Sequence, residues 1–359
     1  MDVLARITGI RYHPLLCRSL NRYSISELDF AFSRDTAFLL DIDGNGSRQI
    51  ALSWWVSPKR TRSYPYARVY DSLSFPGRKV TVIPIIKDEG KEGDRDFLQW
   101  DTMSLMSLLG VYTVISYYSS AERSSRYRHK IKSQKFDIQY IKEEINNILC
   151  YQSDALHWNL AQIEKVGEIA QKALASYSDI SKRLDVDMHS VESAEKRIKE
   201  LIKGKENFLQ VSRELAKKAQ NRERVTVQPK EKLVGVKATI TIKNYLGGYY
   251  FFTCDEVKIE EDRVYLIEGK HSRRLLIPSL VDIKDGLIKM MLFTNLREVK
   301  IGDKEYNPVA VLKLTSNVEF TKEKLRTTQL ETLKLLKREA EMNNFTIILN
   351  ETNLQDIEL

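Results

Sequence analysis

The spacing of apolar residues predicts two kinds of structure along this chain. Between Phe136 and Arg224, apolar residues recur every three or four positions, and no proline interrupts them. This spacing is typical of consecutive amphipathic helices. From Leu233 onwards, apolar and polar residues instead alternate over short stretches, as they do in half-buried strands.

The C-terminal part of the chain has the pattern of an α/β core. The order of its elements is strand, hairpin, helix, strand, helix, and a last short strand. We predict strands at Leu233–Asn244, Tyr249–Ile259, Arg263–Glu268, Val309–Leu314 and Phe345–Leu349, and helices from Pro278 to Leu292 and from Thr321 to Met342.

The N-terminal part also combines strand-like and other apolar runs. Asn45-Gly46 is a strong hairpin signal between the first two runs. The stretch Ser119–Lys135 is polar and rich in Arg and Lys, and we predict an exposed connection there. The apolar runs are Ala37–Asp41, Gln49–Val56, Arg78–Ile86 and Leu105–Tyr118.

These changes of pattern divide the chain into four predicted regions. The predicted fold class is α/β (α+β mixed), a mixed sheet flanked by helices. The regions are 1–120, mixed α/β; 136–224, helical; 228–318, the α/β core; and 319–359, a C-terminal helix and strand that pack on the core.

Composition narrows the functional classes. The net charge of +8 suits a polyanionic partner. The three cysteines are far apart in sequence, which favours a reducing compartment and no disulfide framework. No apolar run is long enough for a membrane span, and no signal peptide is evident, so we predict a cytoplasmic protein. No Walker A or Gly-x-Gly-x-x-Gly motif indicates a nucleotide cofactor.

Two carboxylates and a lysine end the predicted hairpin strands. Glu268 and Lys270 are two positions apart in one strand, so their side chains share a face. If Asp255 of the partner strand lies opposite, two carboxylates converge beside an ammonium group. Two carboxylates suit Mg²⁺, whose other ligands are water and phosphate. The lysine can hold the attacking water, so the set indicates metal-assisted phosphodiester hydrolysis.

Asp255, Glu268, Gly269 and Lys270 resemble the motif of the PD-(D/E)XK nuclease superfamily, which includes most type II restriction endonucleases. The resemblance covers roughly Leu233 to Ser316. It implies a restriction-endonuclease-like core in which Asp255 and Glu268 ligate Mg²⁺ and Lys270 orients or activates water. No proline precedes Asp255, and Glu256 is an alternative ligand, because a slip of one residue reverses the faces.

Simpler interpretations compete with this one. The charges can form an exposed cross-strand pair in an ordinary hairpin. Against this, Val264–Ile267 is apolar on both faces, which indicates a central, buried strand. The acidic stretch 87–101 follows another predicted strand and is a rival metal site, although a solvated loop is the favoured interpretation there.

Two basic stretches are candidates for contact with DNA. The first mixes cations and aromatics in a Pro-containing loop, which suits binding to bases and phosphates, although a basic surface loop is the plain alternative. Its candidate residues are Lys59, Arg60, Arg62, Tyr64 and Arg68. The second, Arg123–Lys132, suits contact with phosphates, and a solvated linker is equally compatible.

Together these features predict a type II restriction enzyme, a Mg²⁺-dependent, sequence-specific endonuclease of double-stranded DNA in a bacterial or archaeal cell. Regions 1–120 and 136–224 would recognise DNA, form a homodimer, or both, since a two-fold dimer matches a palindromic site. Intramolecular packing explains the helical stripes equally well. The alternatives are another nuclease of this superfamily, in repair, transposition or RNA-guided defence, and a non-catalytic DNA-binding protein.

Overall fold

The computed structural model of the chain describes residues 2–59, 64–202, 236–243 and 249–359. The fold is mixed α/β, as the sequence predicts. Contacts between residues divide the chain into two compact units. We call Leu20–Ser212 the inserted unit, and we call Met1–Ser19 together with Arg213–Leu359 the terminal unit.

The chain begins with strand β1 (Asp2–Arg6) of the terminal unit and then enters the inserted unit. The strands of the inserted unit are β2 (Arg22–Ser24), β3 (Ala37–Asp41), β4 (Gln49–Trp54), β5 (Lys79–Pro84), β6 (Ile86–Asp88), β7 (Arg95–Phe97), β8 (Tyr112–Ser116), β9 (Tyr118–Arg123) and β10 (Ile131–Phe136). A five-stranded sheet has the order β2-β3-β4-β5-β8, and β6 pairs with β7 and β9 with β10.

Glycine conformations explain two boundaries in this unit. Strands β3 and β4 are antiparallel, and Gly44 and Gly46 in the loop between them have φ of 76° and 80°. This confirms the hairpin predicted from Asn45-Gly46. The apolar run 105–118 is divided at Gly110, where φ is 69°. A helix ends before this glycine and strand β8 begins after it, because a positive φ is compatible with neither element.

Helices follow and flank the strands of the inserted unit. They are α1 (Leu28–Arg34), α2 (Pro65–Ser72), α3 (Trp100–Leu108), α4 (Ile138–Cys150), α5 (Ala155–Glu164), α6 (Val166–Leu184) and α7 (Val191–Ile202). Helices α4 to α7 confirm the predicted helical pattern up to Ile202, and the boundary predicted between 224 and 228 lies outside the described residues. None of the helices in the described ranges is long and apolar enough to cross a membrane.

The helices and the N-terminal strands of the inserted unit share one core. Helix α5 packs on β8, where Trp158 Nε1 donates to the Thr113 carbonyl at 2.8 Å and Asn159 Oδ1 accepts from the Thr113 N–H at 2.7 Å. Ile141 and Ile145 of the α4 stripe are completely buried. These positions of the α4 stripe are therefore buried within the chain.

The terminal unit is built around one large sheet. Its order is β13-β12-β11-β1-β14-β15-β16-β17, and β13 also pairs with β15. The elements after β1 are the strands β11 (Val236–Lys243), β12 (Tyr249–Glu260), β13 (Arg263–Ser272), β14 (Arg297–Ile301), β15 (Lys304–Ser316), β16 (Thr346–Leu349) and β17 (Thr352–Asn353), and the helices α8 (Leu280–Phe293) and α9 (Thr327–Asn343).

The connections in this sheet follow the predicted order of strand, hairpin, helix, strand and helix, with β14 added. Strands β11, β12 and β13 are antiparallel neighbours, α8 follows β13, and β15 then lies parallel to β13. Strand β16, after α9, is parallel to β15. Since β13 lies between β12 and β15, and Val264 and Leu266 are fully buried, the prediction of a central strand is confirmed.

The division into units differs from the four predicted regions. Strand β1 pairs in parallel with β11, so the first residues of the chain belong with the C-terminal core rather than with region 1–120. The remainder of that region forms one unit with the helices predicted as a separate region 136–224. Both differences arise from pairing between distant segments, which a local pattern does not reveal.

Helix α8 is buried on nearly every side. All its residues from Ile283 to Phe293 are buried, including three charged ones, and Ser279 caps its N-terminus by accepting from the Asp282 N–H at 3.2 Å. A Cβ added at Gly286 would lie 2.6 Å from Leu312 Cδ1 and 3.3 Å from Lys270 Cε. The glycine therefore lets α8 approach β13 and β15 closely.

Candidate active site

The register of the β12/β13 hairpin decides which acidic residue faces Glu268. Glu256 lies opposite Ile267, so the same antiparallel register sets Asp255 opposite Glu268. The Gly269 N–H donates to Asp255 Oδ2 at 3.0 Å. Because side chains alternate along a strand, Asp255 and Glu268 project from one face and Glu256 projects from the other.

Glu256 lies beside a different lysine. Its Oε2 is 3.9 Å from Lys313 Nζ, and the Glu256 side chain is buried. Of the two acids that the sequence left open, Asp255 therefore shares a face with Glu268 and Lys270, and Glu256 does not. We call Asp255, Glu268, Lys270 and two residues of α8 described below the charged cluster.

Lys270 bonds to two carboxylates. Its Nζ lies 3.0 Å from Glu268 Oε1 on its own strand and 2.7 Å from Asp285 Oδ2 on α8. Its side chain is largely buried. Asp285 thus holds the ammonium group from the helix side, while Glu268 holds it from the sheet side.

Lys289, one helical turn after Asp285, completes the charged cluster. Its Nζ lies 2.9 Å from Glu268 Oε2 and 2.6 Å from the Thr253 carbonyl oxygen. Both Glu268 oxygens are therefore bonded to ammonium groups. Glu268 is only 1% exposed and Lys289 only 3%, so these are buried charge pairs, which are stable only when each charge has a close partner.

Sequence analysis did not identify Asp285 and Lys289. A signal for them exists, because both stand in a largely apolar helix that directly follows the Glu-x-Lys strand. Charged residues in such a helix are buried unless the helix is peripheral, and a buried charge needs a partner of opposite sign. That pattern indicates a buried charge network but does not identify the partners.

Burial and repulsion act together on the two carboxylates. Burial and, after it, the negative charge of Glu268 raise the pKa of Asp255 to about 6. The ammonium groups of Lys289 and Lys270 and the Gly269 N–H oppose this rise. The pair of carboxylates therefore attracts further positive charge, since a cation between them would stabilise the ionised form of both.

The donor set fits Mg²⁺. Among the described residues, no three His, Cys, Asp or Glu side chains form a group that could hold a metal ion. A metal at Asp255 and Glu268 would thus have two carboxylate ligands and would take the others from main-chain oxygens, water and phosphate. Magnesium is commonly bound in this way.

The acidic stretch 87–101 does not form a second site of this kind. Asp88 Oδ1 lies 2.8 Å from His189 Nδ1, and Asp96 accepts from Ser57 Oγ at 2.8 Å. Glu89 lies between two lysines. The interpretation as a solvated loop is wrong for Asp88 and Asp96, which are buried. These carboxylates have separate partners, because β6 and β7 fold back into the core of the inserted unit.

The first candidate DNA-binding loop is only partly described. Arg60 and Arg62 lie outside the described residues. Lys59 and Tyr64 are exposed, and the Tyr64 side chain is 53% exposed. The Arg68 guanidinium instead lies over the Trp54 ring, 4.7 Å from its centroid, and donates to the Trp54 carbonyl at 2.9 Å. Arg68 therefore makes intramolecular contacts in this structure.

The second basic stretch forms a hairpin rather than the predicted connection. Strands β9 and β10 pair across a turn, and residues 119–135 contain a single acid, Glu122. Tyr127 at the turn is 49% exposed. We call the exposed cations of this hairpin the basic hairpin surface; they are Arg123, Arg126, Arg128, Lys132 and Lys135.

Comparison of the chain with protein-family models, with curated proteins and with solved structures finds no match. Function is therefore inferred from the chemistry of the charged cluster and of the exposed basic residues.

Proposed function

We propose that this protein is a Mg²⁺-dependent endonuclease that hydrolyses phosphodiester bonds in double-stranded DNA. The observation that carries the proposal is that Asp255, Glu268 and Lys270 converge on one face of paired strands. These are the residues that the PD-(D/E)XK resemblance implies. The helix-flanked sheet, and α8 directly after the Glu-x-Lys strand, support a restriction-endonuclease-like core.

The position of each residue suits one role. A bound Mg²⁺ ion supplies a Lewis acid that polarises the scissile phosphate and makes water more acidic. Asp255 and Glu268 would hold that ion. Lys270 would orient the attacking water, because its Nζ lies 3.0 Å from Glu268, the proposed metal ligand. Asp285 holds Lys270 from the helix side and so sets where that ammonium group points.

Exposed positive charge supports a nucleic-acid substrate. The chain carries a net charge of +8, and the basic hairpin surface concentrates cations on one exposed hairpin. Lys59 and Tyr64 add a cation and an aromatic ring on another exposed loop. Cations of this kind bind phosphates without regard to sequence, whereas aromatic and arginine side chains can also contact bases.

Within this class we assign the protein to the type II restriction enzymes of bacterial or archaeal cytoplasm. The inserted unit, Leu20–Ser212, is large enough to carry recognition of a specific DNA sequence. A palindromic site that is cut in both strands matches a two-fold dimer, so we propose a homodimer. If cleavage is instead insensitive to sequence, the same chemistry fits a nuclease of repair, transposition or RNA-guided defence.

The test is incubation of the protein with supercoiled plasmid DNA and Mg²⁺, with EDTA in a parallel reaction. We expect discrete fragments with Mg²⁺, none with EDTA, and none from Lys270→Met. A panel of plasmids of different sequence then separates site-specific from general cleavage. Fragments that form equally in EDTA, or equally with Lys270→Met, would contradict the proposed chemistry.

A second function is favoured by one observation. Both oxygens of Glu268 are bonded to lysine ammonium groups, which is also how a catalytically silent charge network would be arranged. A non-catalytic DNA-binding protein would retard DNA in a gel-shift experiment and leave it intact with Mg²⁺ and with Mn²⁺. The same plasmid reaction therefore separates the two functions.

A further inference from the structure

The ammonium group of Lys289 is surrounded by oxygen atoms of the kind that bind metal cations. Its Nζ is bonded to a carboxylate oxygen of Glu268 at 2.9 Å and to the Thr253 carbonyl oxygen at 2.6 Å. Carboxylate and carbonyl oxygens are also the ligands that hard divalent cations take.

We propose that the Lys289 ammonium group is a built-in cation that competes with a divalent metal ion for Glu268. Without metal it neutralises Glu268, and metal binding requires it to move away. The inference rests on the proposed function only in that this function provides the metal. It adds that α8 controls metal access to the site.

The need for such a cation follows from burial. Glu268 is 1% exposed, and a buried carboxylate without a close cation is strongly unfavourable. Lys289 and Lys270 together offset that penalty in the metal-free protein, one at each carboxylate oxygen. An ammonium group and a divalent ion on the same carboxylate would repel each other in a site with little water to screen them. Lys289 and a divalent ion therefore alternate at Glu268 Oε2, while Lys270 bonds to the other oxygen, Oε1.

Helix α8 also offers the displaced ammonium group a second partner. The helix is buried and capped, so the movement falls to the flexible side chain of Lys289 rather than to the backbone. Asp285 lies four residues earlier on the same helix, a spacing at which two side chains meet. Asp285 already accepts from Lys270, so a displaced Lys289 would share this carboxylate with Lys270.

The test is calorimetric titration of Mn²⁺ into the metal-free protein, without DNA. We expect Lys289→Met to bind Mn²⁺ about tenfold more tightly than the wild-type protein, because the ammonium group that competes for Glu268 is gone. A nearby charge commonly changes the affinity of a carboxylate for a cation such as the proton by about tenfold. Lys313→Met is the matched control, since it removes a lysine from the Glu256 pair on the opposite face. Its affinity for Mn²⁺ should equal that of the wild type.

Lys289→Gln keeps a hydrogen-bond donor for the Thr253 carbonyl and serves if Lys289→Met does not fold; it should show the same gain. Mn²⁺ affinity that is unchanged or weaker in the folded Lys289 variants, or absent from them, would overturn the inference. The same experiments distinguish failure of this inference from failure of the proposed function. If wild-type protein cuts DNA and the variants gain no affinity, only the competition is wrong. If the variants gain affinity and no DNA is cut, only the nuclease proposal is wrong.

Discussion

The two faces of the β12/β13 hairpin carry the same residue types with different consequences. On one face, Glu256 and Lys313 form a single pair, with 3.9 Å between Oε2 and Nζ. On the other, Lys270 and Lys289 bond to Glu268 and Asp285 at 2.7–3.0 Å. Asp255 shares this face and accepts from the Gly269 N–H. Counted over these named residues as ionised groups, the pair carries no net charge, whereas the charged cluster has three carboxylates and two ammonium groups. A balanced pair suits a structural role, whereas the excess negative charge suits a bound cation.

The largest expected difference between the faces is in catalysis. Glu268→Gln should lower the rate of Mg²⁺-dependent plasmid cleavage by at least about 100-fold, because it removes a metal ligand on which the Lewis-acid effect depends. Glu256→Gln makes the same chemical change one strand away and should leave the rate within about threefold. Plasmid nicking assays measure the cleavage rates of both variants. Equal losses of rate would contradict the proposal that only the face with Glu268 takes part in catalysis.

Stability should separate the faces next. In EDTA, Lys289→Met should lower the free energy of unfolding by about 3 kcal/mol, because it leaves the buried Glu268 with one cation fewer. Lys313→Met should cost about 1 kcal/mol, since its ion pair is longer and its side chain less buried. Urea denaturation followed by circular dichroism measures both. A smaller loss for Lys289→Met than for Lys313→Met would contradict the description of the charged cluster.

The excess negative charge should also appear as a pH dependence. Burial and Glu268 raise the pKa of Asp255 from 3.8 to about 6, so the folded state binds this proton more tightly than the unfolded state does. Metal-free protein should therefore lose stability as pH rises from about 4 to about 6, by about 3 kcal/mol from this group. Asp255→Asn should remove this contribution and be more stable than wild type at pH 7.

The measurement for this third prediction is the urea midpoint of both proteins in EDTA at several pH values. Other carboxyl groups titrate in the same range, so the informative quantity is the difference between wild type and Asp255→Asn. A difference that is constant with pH would show that the pKa of Asp255 is not raised in the folded protein.

The smallest expected effect is on stability, and it tests how closely α8 packs against β13 and β15. Gly286→Ala places a Cβ 2.6 Å from Leu312 Cδ1. Overpacking costs about 1–3 kcal/mol and the gain in helix propensity is about 1 kcal/mol, so we expect a net loss of about 1 kcal/mol. Gly9→Ala, where no atom lies within 4 Å of the added Cβ, is the control and should change stability by less than about 0.5 kcal/mol. Thermal denaturation checks both.

Much of the fold follows from local patterns. The Asn45-Gly46 hairpin, the helix after Pro278 and the alternation that sets Glu268 beside Lys270 depend on residues that are close in sequence. The pairing of β1 with β11 does not, because it joins segments more than 200 residues apart. For the same reason the sequence did not show that the N-terminal strands and the following helices form one unit.

The candidate site divides along the same line. The sequence by itself determined that Glu268 and Lys270 share a face, because the two-residue period of a strand is a property of its own backbone. Only the tertiary structure decided that Asp255 rather than Glu256 joins them, since a register slip of one residue would have exchanged the two. Only the packing of α8 brought Asp285 and Lys289 to the same carboxylate, because contacts between a helix and a sheet depend on the whole core.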